Sequence, residues 1–240
     1  MKLITIFNFP NQDNYNKLCE WWLKQALHHS DVPIEVWYYD NINHLHYMTE
    51  LWDKRVKMVQ KSKLDISTIL SKNLVSEKAQ HNVGFKLYNL CKETEPFIFV
   101  DADAIILQDI EPLISVSKDK PIIMVNHQRI YGHTTHLLFE FLNSGVQVVG
   151  DPSWLDFDKI VEEQVKAKEF MCPGTDQAMI WNYCVRTGYD YTHPDVGYEW
   201  NWCAGIASVP TAVCINHYWY KFKPWIIDCP RWKKFLGETE

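Results

Sequence analysis

The chain has 240 residues, 47% of them hydrophobic, which suits one large α/β domain or a domain with a small appendage and argues against disorder. A net charge of −6 without a long basic stretch makes nucleic acid a poor partner. No apolar run approaches the roughly 18–20 residues of a membrane span, and the N-terminal apolar stretch turns polar too early for a signal peptide.

The first predicted element is a buried strand, Leu3 to Phe7. Asn14 to His28 reads as a helix, because Leu18, Trp22 and Ala26 recur at i+4. Pro33 opens a second strand, Ile34 to Tyr39. Leu45, Met48, Trp52, Val56 and Val59 keep a period near 3.5, which predicts a helix from Ile42 to Val59. Ser67 to Leu90 is predicted to be helical in parts, with Gly84 as a break. Phe97-Ile98-Phe99-Val100 is a dense run of β-formers. Strands follow at Ile122 to Val125 and Val146 to Val149, helices at Ser153 to Lys168 and Asp176 to Arg186, and a last strand at Ala212 to Ile215. Thr175 is the expected cap of the second of those helices. Strands alternate with helices in the first half, so a parallel-type sheet with crossover helices is expected there. The charged tail from 226 to 240 is expected to be loosely attached beyond Asp228.

The strongest local feature is Asp101-Ala102-Asp103 at the C-terminal end of the Phe97–Val100 run. Open α/β sheets bind ligands at that edge. An extended chain puts Asp101 and Asp103 on one side, where two like charges repel unless something positive joins them. A hard divalent cation does this, and oxygen ligands suit Mg²⁺ or Mn²⁺. Two solvated loop acids are the plain alternative. A phosphohydrolase with Asp101 as nucleophile is another, although the motif comes late and Ala104 replaces the small hydroxyl residue expected after it. The seven cysteines are an odd number with no C-x-x-C pair, which argues against a disulfide framework or structural zinc and fits a reducing, cytoplasmic compartment. Among the 11 Trp and 12 Tyr, Trp21 and Trp22 read as core. Trp200 or Trp202, next to Tyr198, is a candidate sugar platform. His127, His133 and His136 are candidates for a second metal site or an acceptor-facing loop, with solvated loop positions as the simpler reading. His28, His29, His44 and His46 read as surface positions.

Residues Phe97 to Leu113, FIFVDADAIILQDIEPL, resemble the strand, D-x-D and following segment of the glycogenin-like family of retaining glycosyltransferases, family 8. Four further stretches fall in that family's order. Tyr15 follows the first strand, and Lys86 lies in the helix before the D-x-D. Asn143-Ser144-Gly145 and Gly174-Thr175-Asp176-Gln177 come next, and His217 to Trp225, HYWYKFKPW, resembles the terminal motif. The resemblance implies a single GT-A domain, a Rossmann-like mixed sheet flanked by helices over residues 1–240. Its nucleotide-binding half would be about 1–105, with the acceptor and donor-sugar half at about 106–225.

The same likeness implies transfer of a hexosyl unit from a UDP-sugar to a saccharide or glycan, with retention, using Mn²⁺ or Mg²⁺. Asp101, Asp103 and His217 would be the metal ligands, and Asp101 would also reach the ribose. Lys223 would clamp the diphosphate, Lys86 would lie near the donor, and Tyr15 would stack on uracil. Phe7, Asn8, Ala102 and Asn143 would be further nucleotide contacts, and Asp176 and Gln177 would position the donor sugar. Tyr220 stands where the family has a glycine that admits phosphate. The compact chain suggests a soluble bacterial-type or virus-type enzyme, cytoplasmic in the cell or in the host. A non-catalytic carbohydrate-binding protein on the same scaffold is the remaining alternative, and Tyr220 is its best support.

Overall fold

A computed structural model describes residues 1–7, 13–39, 53–69, 80–125, 143–167, 176–203, 213–218 and 222–238. Strand β1 (Lys2–Ile6) lies at the centre of a six-stranded sheet. It pairs in parallel with β2 (Ile34–Tyr38) on one side and β4 (Phe97–Val100) on the other. Strand β3 (Val56–Gln60) adds to β2, also in parallel. Beyond β4 the sheet changes direction: β7 (Val146–Val149) runs antiparallel to β4, and β6 (Ile122–Met124) antiparallel to β7. The sheet is therefore mixed, as expected from the sequence, with its parallel strands in the first half.

Side-chain parity in β1 and β4 builds two cores, one on each face. Leu3, Ile98 and Val100 face helix α1 (Asp13–His28), where Leu18, Trp22 and Ala26 are fully buried. Ile4, Phe97 and Phe99 face the other way, towards Phe85, Leu87, Met179 and Ile180. Those partners come from the π-helix Gln80–Leu87, which continues into the single turn α2 (Tyr88–Leu90), and from α5 (Asp176–Thr187). A strand hydrophobic on both faces must be covered on both, which fixes β4 in the interior and leaves only its C-terminal end to meet a ligand.

Five expectations need correction. The helix expected over Ile42 to Val59 ends in an edge strand: Val56 to Gln60 pair with β2, while residues 40–52 lie outside the described part. Gly84 does not break its helix. A Cβ there would meet the Leu64 carbonyl oxygen at 2.4 Å, and Leu64 N–H donates to the Gly84 carbonyl at 2.7 Å, so the glycine admits a crossing backbone. Helix α4 (Phe157–Ala167) starts later than Ser153 because Pro152–Trp154 forms its own 3₁₀ turn, with Asp151 accepting from Ser153 N–H at 3.0 Å. The last strand, β9, is Ile215–His217 rather than Ala212 to Ile215.

The tail is the fifth. Helix α6 (Pro230–Leu236) buries Trp232 against Trp21 and Trp225, with ring centroids 5.6 and 5.9 Å apart. The aromatic residues among the charges hold the segment to α1. Helix α3 (Glu111–Val116) and strands β5 (Ala104–Ile106) and β8 (Trp202–Cys203), which join β9 in a second sheet of order β5-β9-β8, had no counterpart in the predicted elements. Among the described residues no helix is long and apolar enough to cross a membrane.

Candidate active site

The β4 ladder continues one residue past the strand: Asp101 N–H donates to the Gly145 carbonyl at 2.8 Å. The chain then turns, with Ala104 N–H on the Asp101 carbonyl at 2.9 Å, and enters β5. Strand β5 pairs antiparallel with β9 in a register that sets Ala104 opposite His217. Tyr218 N–H donates to the Asp103 carbonyl at 2.7 Å. This pairing carries His217 across the fold to the acidic pair. Asp101, Asp103 and His217 each offer a ligand atom, and these atoms lie within 4.8 Å of one another.

The two carboxylates meet different partners. Lys86 Nζ lies 3.0 Å from Asp101 Oδ1 and 3.0 Å from Asp176 Oδ2, and also donates to the Ser144 carbonyl at 3.0 Å. It sits 4.4 Å from the Phe99 ring centroid, with its side chain 5% exposed. Asp103 instead faces His217, with Nε2 3.2 Å from Oδ1, and makes a close ion pair with Lys223. Burial pushes the Asp101 carboxyl up; Lys86 opposes this and the Asp103 charge adds to it, and the net direction is up. Burial would also raise Asp103, but Lys223 and His217 outweigh it and hold that carboxyl well below the usual range. Burial would lower the Lys86 ammonium, but Asp101 and Asp176 outweigh it and keep the group charged.

The other expected site residues divide into two groups. Tyr15 lies near the cation end, 5.8 Å from Lys223 Nζ and in edge contact with Trp225 at 5.1 Å. Gln177 borders the Ser144 turn, its Oε1 accepting from Ser144 N–H at 3.4 Å. Three differ from expectation in what they can offer. The Phe7 ring is buried against Trp22, with centroids 5.8 Å apart, so its side chain belongs to the core. Ala102 is likewise part of the core. Asn143 uses its side chain to hold the turn, accepting from Gly145 N–H at 2.7 Å and from Asn201 at 3.1 Å. Asn8, His44, His46, His127, His133, His136, Thr175 and Tyr220 lie outside the described residues. Trp200 is buried, while Tyr198 is exposed.

No protein-family model matches the sequence, and no curated protein matches it. Solved structures do. The galactosyltransferase LgtC, in complex with donor and acceptor sugar analogs, superimposes with a TM-score of 0.64 at 15% identity, over 100% of this chain and 96% of LgtC. The glycosyltransferase GlyE of Streptococcus pneumoniae gives a TM-score of 0.62 at 16% identity, over 99% of this chain and 62% of GlyE. Mouse xyloside xylosyltransferase 1 gives 0.54 at 12% identity, over 90% and 97%. The chain has the GT-A glycosyltransferase fold. At these identities the likeness is one of architecture, and what the site does rests on its own residues.

Two functional-site positions escaped the sequence reading. Gly145 was read only as part of the Asn143-Ser144-Gly145 stretch, yet a Cβ there would meet His217 Cε1 at 2.4 Å, so the imidazole packs directly on its backbone. Asn201 is fully buried, and its Oδ1 accepts from His217 Nδ1 at 3.0 Å. The one sequence signal for Asn201 was a polar residue enclosed by Trp200 and Trp202, which a buried hydrogen-bonding role explains.

Proposed function

We propose that this chain is a metal-dependent glycosyltransferase that moves a hexosyl unit from a UDP-sugar to a saccharide or glycan acceptor, with retention at the anomeric carbon. The observation that carries this reading is the convergence of Asp101, Asp103 and His217 at the carboxyl edge of the parallel strands, flanked by Lys223 and Tyr15. Two carboxylates and one imidazole are a donor set that suits Mn²⁺ or Mg²⁺, and burial raises the Asp101 carboxyl, which a cation there would oppose. Asp101, Asp103 and His217 would hold the ion, which when bound supplies Lewis-acid stabilisation of the departing nucleoside diphosphate.

The protein's own groups have separate tasks in this reading. Lys223, already on a carboxylate, exchanges that partner for diphosphate oxygens. It then adds positive charge where the leaving group develops negative charge. Tyr15 offers a ring face to uracil, and the Phe7 and Ala102 backbones border the nucleotide. Lys86 fixes Asp101 and Asp176 relative to each other, so that Asp176 and Gln177 meet the donor sugar at a set distance from the diphosphate. Asn143 serves the site by shaping the turn. Retention follows from the family resemblance. The same reading takes residues 1–240 as one catalytic domain acting in the cytoplasm.

A donor panel tests the proposal. UDP-glucose, UDP-galactose and rarer UDP-sugars are incubated with Mn²⁺ and a mixture of saccharide acceptors, and UDP release is measured. Release from at least one donor, abolished by chelation, is expected. Absence of release from every donor, together with no metal-dependent stabilisation by UDP, contradicts the proposal and favours a binding protein on this scaffold.

A further inference from the structure

His217 is held on two sides. Gly145 sets the position of the ring, because the imidazole occupies the space a Cβ would take. Asn201 addresses its far nitrogen, with Oδ1 3.0 Å from Nδ1. The orientation of the Asn201 amide follows from its other contacts: Nδ2 donates to the Val125 carbonyl at 3.3 Å and to Asn143 Oδ1 at 3.1 Å. Both of those atoms only accept, so the amide nitrogen must face them and the carbonyl must face His217. An acceptor beside Nδ1 requires the proton there. Nε2, 3.2 Å from Asp103 Oδ1, faces the acidic pair; with Nδ1 held by Asn201 it is the ring nitrogen that a cation between the imidazole and the carboxylates would meet.

We propose that Asn201 is a positioning residue for the metal site: it fixes the His217 ring rotation and its Nδ1–H form, so that Nε2 is presented as a ligand. The inference rests on the metal reading above. Its physical basis is that a ligating imidazole is oriented by whatever its other nitrogen bonds to. The same network ties three distant segments together. Asn143 Oδ1 accepts from both Gly145 and Asn201, so hydrogen bonds link the 143–145 turn, the segment before β8 and strand β9 around the imidazole.

Calorimetric titration of Mn²⁺ into wild type, Asn201→Leu and Asn201→Asp tests this without any turnover assay. Leucine keeps the volume and cannot accept; aspartate keeps the acceptor and loses the amide donors. Asn201→Leu is expected to bind Mn²⁺ about 10–100-fold more weakly. Asn201→Asp is expected to stay within about threefold of wild type or to bind more tightly, while losing thermal stability. Wild-type affinity in folded Asn201→Leu overturns the proposal, as does equal weakening in both variants, which would mean a packing role only. If Asn201→Leu does not fold, proton NMR of the wild type decides. A slowly exchanging His217 Nδ1–H, readable without metal, is expected; rapid exchange with solvent overturns the assignment. Wild type that binds no Mn²⁺ while keeping the protected Nδ1–H sinks the metal reading and not the Asn201 contact.

Discussion

The inner and outer ends of the site lie at the same sheet edge with opposite charge balances. At the inner end one buried ammonium, Lys86, serves two carboxylates, Asp101 and Asp176. At the outer end one carboxylate, Asp103, has an ammonium and an imidazole. Asp101 is pushed up and Asp103 is held down, although they are two residues apart on the same turn. The difference teaches that sequence spacing alone does not define an acidic pair. The surroundings favour the charge on Asp103 and disfavour it on Asp101. In the proposed reading a divalent cation between them would offset the burial that raises Asp101.

Removing the inner cation should break the comparison most severely. Lys86→Met leaves Asp101 and Asp176 facing each other in the interior, and chemical denaturation should register a loss of about 3–5 kcal/mol. A loss below about 1 kcal/mol would mean that the inner end is solvated and the contrast is false. Gly145→Ala probes the outer end through packing. The added methyl would lie 2.4 Å from His217 Cε1, so the expected cost is about 1–3 kcal/mol, accompanied by weaker Mn²⁺ binding because the ring is displaced.

His81 gives the smallest and most specific readout of the inner end. Burial and the nearby Lys86 charge lower its pKa to about 4, against the opposing pull of Asp176. The folded ring is therefore neutral where the unfolded chain, with a pKa near 6.5, takes up a proton. Stability should be full above about pH 6.5 and fall on acidification until about pH 4, where the folded ring also protonates. The loss attributable to this residue is on the order of 2 kcal/mol, since the ring keeps some solvent contact. His81→Phe should flatten that part of the stability profile; an unchanged slope would assign it to other groups.

Much of the site was legible because its signals are local. A buried run followed by two acids marks the carboxyl end of an interior strand, and β4 has both faces covered as that pattern requires. Of the ordered neighbours, Lys86 and His217 meet the pair directly, and Asp176 joins it through Lys86. What was not legible depends on contacts between distant segments. Val56 and Val59 fit a helical period, but only pairing with β2 decides that they form a strand. Gly84 and Gly145 look like breaks or turn residues until the crossing Leu64 backbone and the His217 ring are in place. Strand β5 is three residues long and acquires its identity from β9, so the register that sets Ala104 opposite His217 has no local trace. The Phe7 ring packs in the core, which leaves only its backbone for the expected nucleotide contact, since an aromatic at the end of a buried strand can point either way.

The central claim is that the acidic pair and His217 bind a metal that in turn binds a nucleoside diphosphate. Thermal unfolding with UDP, with and without Mn²⁺, tests it most directly when wild type is run beside Asp103→Asn. Stabilisation of wild type by UDP is expected only when Mn²⁺ is present, about 2.7 kcal/mol at a hundredfold excess over Kd, and none in Asp103→Asn. Equal stabilisation by UDP without metal, or an undiminished metal-dependent shift in Asp103→Asn, would contradict the claim.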